Sequence, residues 1–217
     1  MRHGYTNTTE RVPSGVRKTY DGPDATKRAQ AEYLALTHLA GIMPVPHVIE
    51  RDADGALVTE FVHGAHGQDQ IDAGNASEVL HECGKLLRTL HELDPRLIGG
   101  SPGSGVICHG DFGPNNVLLD PATGATAALL DWEFSDVGDA IIDVAWCEWI
   151  VRMHHPAAVT SLDAFFSAYA ERPPWEMRQR AMLDRCEWLE DFCLRRDAPA
   201  GVQAWQDRAQ STATWTE

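Results

Sequence analysis

Between Val106 and Glu133 short apolar runs alternate with single polar groups, and this stretch constrains the fold more than any other. Val106 and Ile107 lead into Cys108-His109-Gly110-Asp111-Phe112-Gly113-Pro114-Asn115-Asn116, Val117 to Leu119 follow, and Ala127 to Leu130 deliver Asp131-Trp132-Glu133. Runs of this length, bounded by glycine, proline and asparagine, read as short buried strands joined by a loop. An Asp and an Asn five positions apart on that loop, and a second Asp at the next strand end, would bring three oxygen donors to one point.

Phosphoryl transfer to a hydroxyl requires such a set. One carboxylate takes the proton, and a carboxylate with an amide oxygen holds the magnesium that neutralises nucleotide phosphates. Asp111 is therefore the candidate catalytic base, and Asn116 and Asp131 are the candidate metal ligands, with Asn115 as the neighbouring alternative to Asn116. Asp111-Phe112-Gly113 looks by itself like the metal-binding tripeptide of protein kinases, yet the Asn downstream and the later Asp give it the context of a catalytic loop. Phe112 and Gly113 are then incidental to the chemistry. His109 reads as a loop-shaping histidine bonded to backbone carbonyls, and Asp143 as a group bonding the loop from its helix. Glu133 and Asp136 are candidates to face the acceptor.

His109-Gly110-Asp111, four residues, Asn116, then Asp131-Trp132-Glu133 and Gly138-Asp139 with Asp143 resemble the aminoglycoside phosphotransferase and choline kinase superfamily. The family commonly has Pro at the position of Ala140, a departure that touches helix initiation only. The resemblance implies an α+β, bilobal, protein-kinase-like fold, with a small β-rich N-lobe over residues 1–62 and a larger, mainly helical C-lobe over 63–217. It implies ATP and Mg2+ as nucleotide substrate and metal, and transfer of the γ-phosphoryl group to a hydroxyl of an aminoglycoside-like or other cationic small molecule, in antibiotic resistance or in metabolism. A kinase-fold nucleotide-binding or scaffolding protein without turnover is the alternative, and a metal-dependent hydrolase using the same carboxylates is another.

The first 62 residues follow a β-β-α-β-β order. Thr8 to Val12 and Gly15 to Tyr20 read as a hairpin around Pro13-Ser14, Asp24 to Ala40 as a helix with Ala31, Leu34, Ala35 and Leu39 at helical spacing, and Val48 to Arg51 and Leu57 to Val62 as strands around the turn at Asp52 to Gly55. By the resemblance Lys18 contacts the nucleotide phosphates, Glu32 pairs with Lys18, and backbone groups of Glu60, Phe61 and Val62 meet the adenine; Arg17 and Lys27 are the competing cations. A complete small lobe has a strand before the hairpin. Here only seven residues precede Thr8, Gly4 to Asn7 read as the end of a phosphate-covering turn, and the lobe is expected to be shortened.

Beyond Gly64, which opens a turn-prone connector to Asp69, one helix is expected from Ala76 to Leu93, with Val79, Leu80, Cys83, Leu86, Leu87 and Leu90 inward. Others are expected at Asp139 to Arg152, with Ile142, Ala145, Trp146 and Trp149 inward, and at Ser161 to Ala170, Pro174 to Arg195 and Val202 to Thr212. Asp184, Glu187, Glu190 and Asp191 share a helix face that could meet ammonium groups, but interleaved arginines point to a salt-bridged surface. Trp146, Trp149, Trp175 and Trp188 could box a cation or fill a core.

A formal charge of −14 argues against nucleic acid as a partner and is compatible with a cationic one. The polar Met1 to Glu10 and the lack of any long apolar run point to a cytoplasmic protein without a membrane partner. Five scattered cysteines, odd in number and without a Cys-x-x-Cys pair, suggest reduced thiols in place of a disulfide framework or zinc site. The oligomeric state is not legible.

Overall fold

Val12 pairs with Gly15 across the Pro13-Ser14 turn, which closes β1 (Asn7–Val12) onto β2 (Gly15–Tyr20) as an antiparallel hairpin. The computed structural model describes residues 7–217, so all but Asn7 of the expected phosphate-covering turn lies outside the described residues. Strands β3 (Val48–Arg51) and β4 (Leu57–Thr59) complete a sheet of order β1-β2-β4-β3. A Cβ at Gly15 would sit 1.9 Å from the Thr59 carbonyl oxygen, so β2 and β4 approach this closely only because that position is glycine. β4 ends at Thr59, short of the expected Val62, with the Glu60 amide still bonded to the His47 carbonyl at 2.9 Å.

Helix α1 (Ala25–Leu39) lies between the paired strands in sequence, and its buried face is Arg28, Ala29, Glu32, Ala35, Leu36 and Leu39. Two of the six are charged. Ala31 and Leu34, expected inward, are only half-buried, because the helix turns Arg28 and Glu32 toward the rest of the molecule.

The remaining chain is mainly helical. β5 (Ala65–His66) and α2 (Gly67–Asp72) occupy the segment expected to be a plain connector, and α3 (Ala76–His91) buries every apolar residue expected of it. β6 (Val106–Cys108) pairs with β9 (Asp136–Gly138), and β5, β7 (Val117–Leu119) and β8 (Thr126–Leu129) form a three-stranded sheet. Then come α4 (Ile141–His154), a 3-10 turn at Pro156–Ser161, α5 (Leu162–Tyr169), α6 (Trp175–Arg195) and α7 (Pro199–Ala213). α4 starts two residues later than expected, with the Asp139 carboxylate accepting from the Ile141 amide at 3.1 Å, and Ile142 faces outward at 39% exposure. α7 starts earlier than expected because Pro199 suits a first helical turn.

The main core runs through both parts of the chain. Leu36, Leu39, Met43 and Val45 pack with the α3 leucines, Phe112, Trp132 and the α5 phenylalanines. A second cluster joins the other face of α4, Trp146, Trp149 and Ile150, to Met182 and Cys186 of α6. Phe112, chemically incidental, is fully buried and anchors the loop that carries Asp111. The five cysteines are free thiols, four of them buried. Among the described residues no helix is long and apolar enough to cross a membrane.

Candidate active site

The loop between β6 and β7 is fixed from beneath by Asp143 at the start of α4. Its two carboxylate oxygens accept from the amides of His109 (2.7 Å) and Gly110 (2.8 Å), and His91 of α3 adds a third contact at 3.3 Å. Burial pushes this carboxyl up, but the bonds and charge of His91 and the loop outweigh it and hold Asp143 below the usual carboxylate range. Gly110 bends the loop with φ +80°, and a Cβ there would lie 2.3 Å from the Phe134 carbonyl oxygen. His109 accepts the Asp111 amide on Nδ1 (3.2 Å) and reaches the Leu130 carbonyl with Nε2 (2.9 Å), so the proton sits on Nε2 and the ring ties the loop to the end of β8.

So held, the Asp111 carboxylate is addressed at both oxygens. Trp146 Nε1 donates to Oδ1 at 2.7 Å, and Asn116 Nδ2 donates to Oδ2 at 3.0 Å and to the Asp111 carbonyl at 2.8 Å. Burial, then the nearby Asp131 charge, raises Asp111 above its ordinary value, against the pull of Arg185 and the Trp146 bond. Asn115 takes no part: its carbonyl accepts from His66 Nδ1 (3.1 Å), and its own Oδ1 is buried without a partner. Because Asn116 turns its nitrogen to Asp111, its oxygen is left as a hard donor of the kind a magnesium ion takes, as is the Asp131 carboxylate.

Asp131 follows β8 with φ +67°, a left-handed conformation that costs an Asp on the order of 1–3 kcal/mol and is imposed here by its neighbours. The Leu130 amide bonds the Asn116 carbonyl at 2.8 Å, and the Trp132 indole bonds the Leu129 carbonyl at 2.9 Å. The carboxylate consequently meets Lys18 of β2, whose Nζ also contacts Glu32 of α1 at 2.6 Å. Burial opposes the charge on Asp131, but Lys18 outweighs it and holds the carboxyl low. Burial likewise works against the Lys18 ammonium, and Asp131, Glu32 and Glu133 more than restore it, raising its pKa. Tyr20 donates to Glu32 at 2.6 Å. Arg17 is drawn off to Asp52.

Glu133 does not face an acceptor. It is 2% exposed and bound by Arg28 and by Asn7 Nδ2 (2.8 Å), since α1 places a buried guanidinium opposite it. Asp136 is exposed in β9 and accepts from its neighbouring Val137 amide, at the edge of the two-stranded sheet. Phe61 is 41% exposed, with the Arg11 guanidinium 3.7 Å above its ring. Sequence reasoning missed Trp146 as a partner of Asp111, His91 behind Asp143, Arg28 beside Glu133, and Arg185, whose charge acts on Asp111 from α6. Only Arg28 left a signal, as a charge on the inward stripe of α1.

Residues 101–183, which hold Asp111, Asn116 and Asp131, match the model of the phosphotransferase enzyme family. The chain is similar to aminoglycoside 3'-phosphotransferases of Streptomyces fradiae (30% identical, covering 54% of this chain and 61% of that protein) and Streptomyces ribosidificus (30% identical, 59% and 65%). It thus spans less than two thirds of either relative's length. Among solved structures, the GDP complex of an aminoglycoside 2'-phosphotransferase superposes with a TM-score of 0.75 over 98% of this chain and 90% of that one, at 11% identity, which is a likeness of fold.

Proposed function

We propose that the chain, which matches the phosphotransferase enzyme family over residues 101–183, is a member of the aminoglycoside phosphotransferase and choline kinase superfamily and transfers the γ-phosphoryl group of ATP to a hydroxyl of a small molecule. The observation that carries this reading is the Asp111 carboxylate, half-buried, addressed by Trp146 and Asn116, and set beside Asp131. Each oxygen keeps a lone pair for a substrate hydroxyl, and the raised pKa makes Asp111 a better proton acceptor than a solvated Asp. The acceptor oxygen bonds the γ-phosphorus, the bond to the ADP oxygen breaks, and the hydroxyl proton passes to Asp111.

Lys18, already desolvated and positioned by Glu32 and Tyr20, supplies the cation for the nucleotide phosphates. Asn116 and Asp131 would hold Mg2+, which neutralises phosphate charge when bound. The Glu60 amide is committed to His47, so the adenine contacts fall to the Glu60 carbonyl and the backbone of Phe61 and Val62. The bilobal division near residue 62 is part of the same proposal.

The test is ADP formation with ATP, Mg2+ and a panel of hydroxyl acceptors, including the aminoglycosides that give the relatives their names. Acceptor-dependent ADP release, reduced on the order of 10²- to 10⁴-fold in Asp111→Asn with ATP binding kept, is the expected result. Phosphate release without any acceptor would favour a hydrolase, and unchanged activity in Asp111→Asn would remove it as the base.

A further inference from the structure

Arg185 is a cation beside the candidate base. Its guanidinium carbon stands 4.2 Å from the Trp188 ring centroid, 5.2 Å from Phe134 and 5.7 Å from Trp146, the indole that donates to Asp111. Among the described residues it makes no ion pair, and its Nε is buried with no hydrogen-bond partner. Guanidinium groups carry five donors in a planar fork, and a desolvated one left unpaired is costly. Asp111 lies within reach of its charge, but among the described residues no hydrogen bond or ion pair joins the two.

The surroundings also speak against a cationic acceptor. The aromatic faces that could receive an ammonium already carry the protein's own guanidinium groups: Arg185 on Phe134, Trp146 and Trp188, Arg152 and Arg178 on Trp175, and Arg208 on Trp205. Three of the five α6 carboxylates are engaged as well, with Asp184 paired to Arg180 at 2.8 Å, Asp191 to Arg195 at 2.8 Å, and Glu190 bonded by Gln206 at 2.7 Å.

We infer that Arg185 binds an oxyanion of the acceptor, a carboxylate or phosphate, so that the substrate is a hydroxylated anion and not a polyamine sugar. This rests on the kinase reading for its position beside Asp111. An anion brought near Asp111 would otherwise be repelled, and the fork of Arg185 both offsets that repulsion and fixes the hydroxyl relative to the base. Its aromatic clamp is preorganised, so little ordering is left to binding.

Matched acceptors test it: glycerol against glycerate, glucose against gluconate and glucose 6-phosphate, and kanamycin, each assayed for ADP formation in the wild type, Arg185→Met and Arg185→Lys. The expected result is an anionic preference of about 10- to 100-fold in kcat/KM that collapses toward unity in Arg185→Met and is partly kept in Arg185→Lys. The carboxylate and phosphate arms separate the two oxyanions. In parallel, gluconate and glucose 6-phosphate are titrated into the full chain with ADP and Mg2+ present, read by tryptophan fluorescence. Quenching lost in Arg185→Met, with no ADP formed on any acceptor, would overturn the kinase reading and leave the anion site standing. ADP formed best on kanamycin or glycerol, or no quenching by either anion, would overturn the anion site.

Discussion

Two aspartates with opposite shifts, Asp111 half-buried and Asp143 buried, govern how this site responds to pH. Asp111 lies above the ordinary value because burial and Asp131 outweigh Arg185 and the Trp146 bond. Since the base acts when deprotonated, the rate should rise through that raised pKa. Trp146→Phe removes a donor that favours the charged form, so the acid limb of the pH–rate profile should move to higher pH; an unmoved limb would show that the indole bond does not act on the base. Asp143 behaves inversely. Its folded pKa is depressed, so its stabilisation is present above the unfolded value and is lost as pH falls through the folded one. Asp143→Asn should lose about 2–4 kcal/mol at neutral pH and show a flatter acid unfolding curve, measured by urea melts across pH. Asp111 meeting Asn116 is legible in spacing along a loop, and Lys18 meeting Glu32 follows from the family resemblance. Trp146 on Asp111 is not, because the direction of an indole N–H depends on how α4 rolls against α6. Glu133 read as a cleft residue because nothing local reveals Arg28, 105 positions away, as its partner.

At the scale of elements, long periodic segments are legible and short ones are not. α3 shows its buried stripe in the sequence, whereas β5, α2 and β9 have two, six and three residues, too few to establish a period. Yet α2 underlies the catalytic loop: the Gln68 amide bonds the Pro114 carbonyl at 3.0 Å, and a Cβ at Gly67 would lie 2.8 Å from that same oxygen. A second close approach joins α3 to α5, where a Cβ at Gly84 would stand 2.3 Å from the Phe165 carbonyl. These two glycines predict different phenotypes for the same substitution. Gly84→Ala should cost about 1–3 kcal/mol through separation of the helices while the KM for ATP stays fixed. Gly67→Ala should displace the loop bearing Asp111 and lower kcat more than stability. Melting curves and steady-state kinetics on the pair decide it, and equal kinetic losses would mean that α2 does not support the loop.

At the scale of the molecule, the apolar core is continuous from α1 into the helical part, while the join also buries charge, with Arg28 and Glu133 at 3% and 1% side-chain exposure and Lys18 4.0 Å from the same carboxylate. A continuous core predicts one cooperative transition; a buried ion pair predicts strong coupling between its members. All seven tryptophans lie at or beyond position 132, so their fluorescence reports the helical part, whereas far-ultraviolet dichroism reports the whole. The two signals should trace a single urea curve. Arg28→Met alone leaves Glu133 buried with reduced compensation and should cost about 3–5 kcal/mol, and Glu133→Leu strands Arg28 at a similar cost. The double variant should regain part of the loss, because neither charge is then left buried without the other, while the Asp21 and Pro23 carbonyls still lose the Arg28 donors. Losses that simply add would place the pair outside the coupling that joins the two parts, and separate fluorescence and dichroism curves would show that α1 and its sheet unfold independently of the helices.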